Sequence, residues 1–147
     1  MPKETLPNLW IGDRHDMIDT VFLEKCGIEC IINCTPSCPF AENITSENIR
    51  IPIDNGPYEE NTQQHRALLN ALPDITANIH RYLLRQQGVL VACKRGHSRS
   101  PTIITAYLTR YGQLPLKDAV NALYSRNPLI NIHNFAKILK HFALNHP

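Results

Sequence analysis

The stretch VLVACKRGHSRSPTIITAYL, residues 89–108, puts a cysteine between an apolar run and a helical pattern, with an arginine six residues later. A chain passing from strand to helix there must turn sharply, and Gly96 supplies backbone conformations that other residues avoid. Successive N–H groups in such a loop, Ser98 included, can point inward as an anion nest. The next helix adds unpaired N–H groups and the positive end of its dipole. Arg99 can fork two oxygens of a bound anion, which a lysine cannot do. The same field favours ionisation of Cys93, and the thiolate is the nucleophilic form. Attack of that sulfur on phosphorus gives a cysteinyl-phosphate for water to hydrolyse. Ser100 is placed to hydrogen-bond the sulfur and ease its departure. Lys94, Arg95 and His97 either contact a polyanionic substrate or face solvent while the backbone does the binding. The bland alternative is a buried, inert cysteine beside a solvated basic turn. The agreement in order of strand, Cys, Gly, Ser, Arg, Ser and helix favours the chemistry.

Positioning such a loop takes a strand before it and a helix after it. GVLVA reads as a short β-rich strand ending at Ala92, and SPTIITAYLTRYG as a helix with Pro101 near its start. Upstream, NLWIG, ECIINCT and NIRIPI read as strands, and DMIDTVFLEKCG as a helix stopped by Gly27. ITANIHRYLLRQQG spaces Ile75, Ile79 and Leu83 four apart, a helical stripe, with Pro73 expected in its first turn. PLKDAVNALYSR and NFAKILKHFALN are two further amphipathic helices. Strands interleaved with helices predict an α/β fold with a central, mostly parallel sheet of about four to five strands flanked by helices. Ligands of such sheets sit at the carboxyl ends of the strands, where Cys93 lies.

The bulk numbers are ordinary for a globular chain. The 147 residues fit one domain, 1–147, with a single core. A formal net charge of +2 is too weak a bias to imply nucleic-acid binding. No apolar run approaches a membrane span. MPKETLPNLW has no apolar signal core, so the expected location is cytoplasmic, with nuclear as the alternative. Cys26, Cys30, Cys34 and Cys38 recur every fourth residue. That path of helix, turn, strand and loop converges poorly on one tetrahedral ion, so no metal or cofactor is expected. His133, His141 and His146 fall near a helix surface with no evident ligand geometry.

The motif C-x-x-G-x-S-R-S-P after VLV resembles the signature loop of the protein tyrosine phosphatase superfamily, and most closely the small dual-specificity phosphatases. NLWIG, LEKCGIECIINCTP, IRIPI and LPLKDAVNALYSRNPLI resemble further segments of that family. The resemblance implies a metal-free, cysteine-dependent phosphatase acting on phosphotyrosine, phosphoserine and phosphothreonine in proteins. The basic residues Lys94, Arg95 and His97 also resemble loops acting on inositol phosphates or RNA 5′-triphosphate ends. Three departures stand out. Ala92 replaces the histidine usual before the cysteine. Asn55 stands where the family often has its acid, with Asp54 one residue earlier as the candidate acid. Glu59, Glu60 or no acid at all are the alternatives, and Asp54 can equally be a turn residue of D-N-G-P. Third, residues 54–73 are longer than the family leads one to expect, and read as a variable loop with an added helical turn. The low-turnover alternative is a phosphate-binding module, suggested by Ala92 and Asn55. A resemblance to a related lipid phosphatase type implies Cys34 as a redox partner of Cys93. Nothing in the sequence fixes the oligomeric state.

Overall fold

The structure, a computed structural model, describes residues 2–60 and 62–145. Its five strands are β1 (Lys3–Leu6), β2 (Leu9–Gly12), β3 (Ile28–Asn33), β4 (Glu47–Arg50) and β5 (Gly88–Ala92). They form one sheet in the order β1-β2-β5-β3-β4. Only β1 runs antiparallel to its neighbour, and it forms an edge that the sequence pattern did not announce. The helices are α1 (Thr20–Lys25), α2 (Gln63–Leu84), α3 (Arg99–Arg110), α4 (Leu116–Arg126) and α5 (Ala136–Asn145). The mostly parallel sheet flanked by helices is the α/β architecture expected.

β5 is the central strand, and all five of its residues are buried. A strand paired on both edges and covered on both faces needs a continuous apolar run, which GVLVA provides. Its side chains alternate between two cores. Val89 and Val91 join the larger cluster with Leu72, Ile79, Ile103 and Phe135, while Leu90 and Ala92 join the smaller one with Met17, Leu23 and Ile31. Each such aliphatic side chain contributes roughly 1.5–3 kcal/mol on burial. Continuing the alternation, Cys93 falls on the larger-core side, towards α3. The four regularly spaced cysteines divide the same way. Cys30 and Cys34 belong to the larger core and Cys26 and Cys38 to the smaller, so β3 separates them.

Two boundaries differ from the sequence expectation. Pro73 is not in the first turn of α2 but in the helix interior. The helix starts ten residues earlier, where the Thr62 hydroxyl accepts from the His65 N–H at 3.2 Å. Leu68, Leu72, Ile75 and Ile79 are buried on both sides of Pro73. Their continuous stripe outweighs a proline cost of ~3 kcal/mol. The Pro73 carbonyl accepts from Arg110 Nη1 at 2.7 Å, which ties the kink-prone turn to α3. Most of the supposed loop 54–73 is therefore helix. Upstream, the DMID segment is a 3-10 turn at Asp16–Ile18, and Leu23 and Met17 face inward while Ile18 is exposed.

Candidate active site

β5 delivers Cys93 to the carboxyl edge of the sheet, and α3 begins six residues later with Arg99. The intervening loop is pinned on three sides. The Cys93 N–H donates to the Gly12 carbonyl at 3.3 Å, and the Arg14 N–H to the Lys94 carbonyl at 3.3 Å, which fixes it to the end of β2. The Asn131 N–H donates to the His97 carbonyl at 2.7 Å from the opposite flank. Arg99 Nη1 donates to the Ile53 carbonyl at 2.8 Å, reaching the segment after β4. Gly96 has φ +75°, and a Cβ there would lie 3.0 Å from the Gly12 carbonyl oxygen. Any side chain at this position is strained by its backbone and crowded by a neighbour that cannot move.

Cys93 is 2% exposed. Burial alone would push its thiol up. It is nonetheless held below its ordinary value by the Ser100 hydroxyl, the Ser100 and Gly96 N–H groups and the Arg99 charge. Ser100 Oγ lies 3.2 Å from the sulfur, and the Gly96 N–H donates to it at 3.2 Å. Arg99 is buried, and among the described residues its Nε has no hydrogen-bond partner. One edge of the guanidinium thus anchors the scaffold while a buried donor stays available, a costly arrangement unless an anion completes it. Lys94 and Arg95 are exposed, Gly96 is buried, and His97 and Ser98 are half-buried. A cavity of about 400 Å³ opens over this loop, walled by Cys93, Lys94, Arg95, His97, Ser98 and Arg99 on one side and by Asn55, Asn131, His133 and Asn134 on the other.

Asn131, His133 and Asn134 were not singled out as site residues by sequence reasoning. They come from the N-I-H-N run between α4 and α5, where nothing in the residue pattern signals a return to the loop. A buried Phe135 and the Asn134 Nδ2 bond to the Asn55 carbonyl at 2.7 Å hold that run in place. His141 sits away from the cavity on α5, and His146 lies outside the described residues.

The structure does not bring the candidate acid Asp54 into the cavity wall, where Asn55 stands instead. The Asp54 carboxylate accepts from the Gly56 N–H at 3.1 Å, closing its own turn. Its N–H donates to the Tyr58 hydroxyl at 3.2 Å, and its side chain borders a neighbouring groove against α2. Glu59 and Glu60 are exposed and also outside the wall, with Glu59 3.8 Å from Lys137. Ala92, in the place of the usual histidine, is fully buried in the smaller core. Cys34 is buried on the core side of Cys93, and its N–H donates to the Ala92 carbonyl at 2.8 Å. Burial and the neighbouring Cys93 push its thiol well up, against the opposing pull of Arg99. Among the described residues, no three His, Cys, Asp or Glu side chains come together as metal ligands.

Residues 9–144 match the dual specificity phosphatase catalytic domain. The chain belongs to that family. Human dual specificity protein phosphatase 9 is 35% identical over 118 residues, 80% of this chain. The Caenorhabditis elegans tyrosine-protein phosphatase vhp-1 is 28% identical over 85% of this chain. The chain spans 29% and 18% of those two proteins' own lengths. The crystal structure of human DUSP28 superposes with a TM-score of 0.87 at 23% identity, covering 98% of this chain and 93% of that one. The dual-specificity fold is therefore reproduced at low identity.

Proposed function

We propose that this dual-specificity domain hydrolyses phosphotyrosine, phosphoserine and phosphothreonine esters in proteins through a cysteinyl-phosphate on Cys93. The observation that carries this reading is a buried thiol held below its ordinary value beside the unpartnered Nε of Arg99. Cys93 Sγ attacks phosphorus in line with the leaving oxygen, whose bond to phosphorus breaks. Arg99 and the N–H groups of Lys94 through Ser98 hold the non-bridging oxygens. Ser100 donates to the departing sulfur when water cleaves the intermediate. The binding side needs no cofactor, since the cradle is built from this chain's own donors.

The domain is proposed to span 1–147, working in the cytoplasm or nucleus. Among the described residues, no helix is long and apolar enough to cross a membrane. One observation keeps a second reading in view: Lys94 and Arg95 are exposed on the cavity wall, where a polyphosphate would meet them. Phosphate release from phosphopeptides, inositol phosphates and 5′-triphosphate RNA, compared at equal concentration, separates the two. Faster release from peptides carrying phosphotyrosine or phosphothreonine is the expected result. A clear preference for RNA ends or inositol phosphates contradicts the protein-substrate reading.

Cys34 is proposed to protect the nucleophile. A peroxide oxidises the Cys93 thiolate to a sulfenic acid, and the Cys34 sulfur then displaces water to form a disulfide. The raised Cys34 thiol makes that second step slow at neutral pH. Peptide mapping after peroxide treatment is expected to find the Cys34–Cys93 pair, recoverable by dithiol. Irreversible oxidation of Cys93 with Cys34 left as a thiol counts against the role.

A further inference from the structure

Cleaving a phosphate ester of a poor leaving group requires a proton at the leaving oxygen. Three observations bear on its source. Among the described residues, no Asp or Glu lines the cavity over Cys93, and the Asp54 carboxylate accepts from its own Gly56 N–H. In-line attack from the buried Cys93 directs the leaving oxygen away from the core, and His133 is an exposed residue of the same cavity's wall. The His133 backbone is locked: its N–H donates to Asn131 Oδ1 at 2.9 Å, and the next residue, Asn134, bonds Asn55 at 2.7 Å.

We propose that His133 is the proton donor to the leaving group, in the place where an acidic side chain is missing. This rests on the phosphatase reading above. In the first step the Cys93 sulfur–phosphorus bond forms and the phosphorus–oxygen ester bond breaks. The imidazolium N–H passes its proton to the departing oxygen, leaving neutral imidazole. In the second step that imidazole takes a proton from the attacking water. The sulfur–phosphorus bond then breaks, and thiolate and imidazolium are both restored. An imidazole can give a proton from one ring nitrogen and take one back there, so one residue can serve as acid and then as base.

The other cavity histidine is placed differently. His97 lies in the loop itself and also borders a small pocket behind it, with Lys3, Gly12 and Asp13. The charged and titratable groups facing His133 are Lys94, Arg95, His97 and Arg99 from the loop and Cys93 from the end of β5. Nearby in the chain, Lys137 of α5 lies 3.8 Å from Glu59, which comes from the segment between β4 and α2. Among the described residues, no Asp or Glu lines this cavity.

The test compares wild type and His133→Gln on two esters: phenyl phosphate, a poor leaving group, and a fluorinated umbelliferyl phosphate, a good one. Both are followed across neutral pH, with Asp54→Asn alongside. Loss on the order of 10²-fold on phenyl phosphate, little change on the fluorinated ester and loss of the basic limb of kcat against pH are expected for His133→Gln. A purely structural role for His133 would slow both esters alike. Equal loss on both esters, no loss on either, or transfer of the phenyl-specific loss to Asp54→Asn overturns the assignment. Wild type inert on both esters overturns the phosphatase reading and this role with it, whereas an active wild type beside an unaffected His133→Gln overturns this role alone.

Discussion

Cys93→Ser is expected to lower phosphate-ester hydrolysis by on the order of 10⁴-fold or more, since removing a nucleophile removes the covalent route itself. A serine hydroxyl would receive the same hydrogen bonds from Ser100 and the Gly96 N–H but would remain protonated, because its acidity lies far from that of a thiol. The rate falls as pH is lowered for the same reason: the Ser100 hydroxyl, the Ser100 and Gly96 N–H groups and the Arg99 charge hold the Cys93 thiol below its ordinary value, and the thiolate reprotonates as pH drops through its folded-state value. The fold is expected to survive, with a change in unfolding free energy of about 1 kcal/mol for one buried thiol. Phosphopeptide binding without turnover by the serine variant is therefore the anticipated result in a pull-down or titration. A serine variant that turns over like wild type would place the chemistry elsewhere.

Arg99→Lys is expected to cost on the order of 10²–10³-fold in kcat/KM, the size typical of removing a preorganised donor from a developing charge. Arg99 performs two tasks at once. Nη1 holds the Ile53 carbonyl, and the buried Nε remains for the phosphate. A lysine ammonium is a single point and cannot span both. If it stays with Ile53, the anion loses its fork. If it turns to the anion, the Ile53 carbonyl loses its buried donor and the segment carrying Asp54 and Asn55 loosens. A fall in activity with a lowered thermal midpoint is the combined signature. Activity indistinguishable from wild type would mean that the backbone nest alone binds the phosphate.

The fold and the loop were legible in the sequence because both are governed by local rules. GVLVA read as a short β-rich strand, and a cysteine at its end followed by Gly96 and Arg99 read as a turn into a helix; that β5 is the buried central strand is seen only in the sheet. Cys34 was suggested only by the resemblance to a related lipid phosphatase type, and its strand β3 pairs with β5, which leads to Cys93. What stayed hidden depends on long-range contacts. β1 is four residues of weak pattern, made a strand only by pairing with β2. Pro73 reads as a helix start in isolation, and only the packing of Leu68 and Leu72 shows that the helix runs through it. Asp54 stands one residue before the usual acid position and reads equally as a candidate acid or a turn residue of D-N-G-P; its carboxylate accepts from the Gly56 N–H, a contact the residue pattern alone left open. His133 is forty residues from Cys93 in sequence, and the Asn131–His97 and Asn134–Asn55 bonds that bring it to the cavity leave no periodic trace.

The covalent intermediate is the central claim, and acid quenching during turnover tests it most directly. Wild type mixed with a phosphopeptide, quenched within the first turnovers and digested, should yield a phosphate adduct on the peptide carrying Cys93. The adduct should disappear in Cys93→Ser and accumulate in Ser100→Ala, where the sulfur is a poorer leaving group. Rapid product release with no adduct at Cys93, or an adduct on a different residue, would contradict the mechanism.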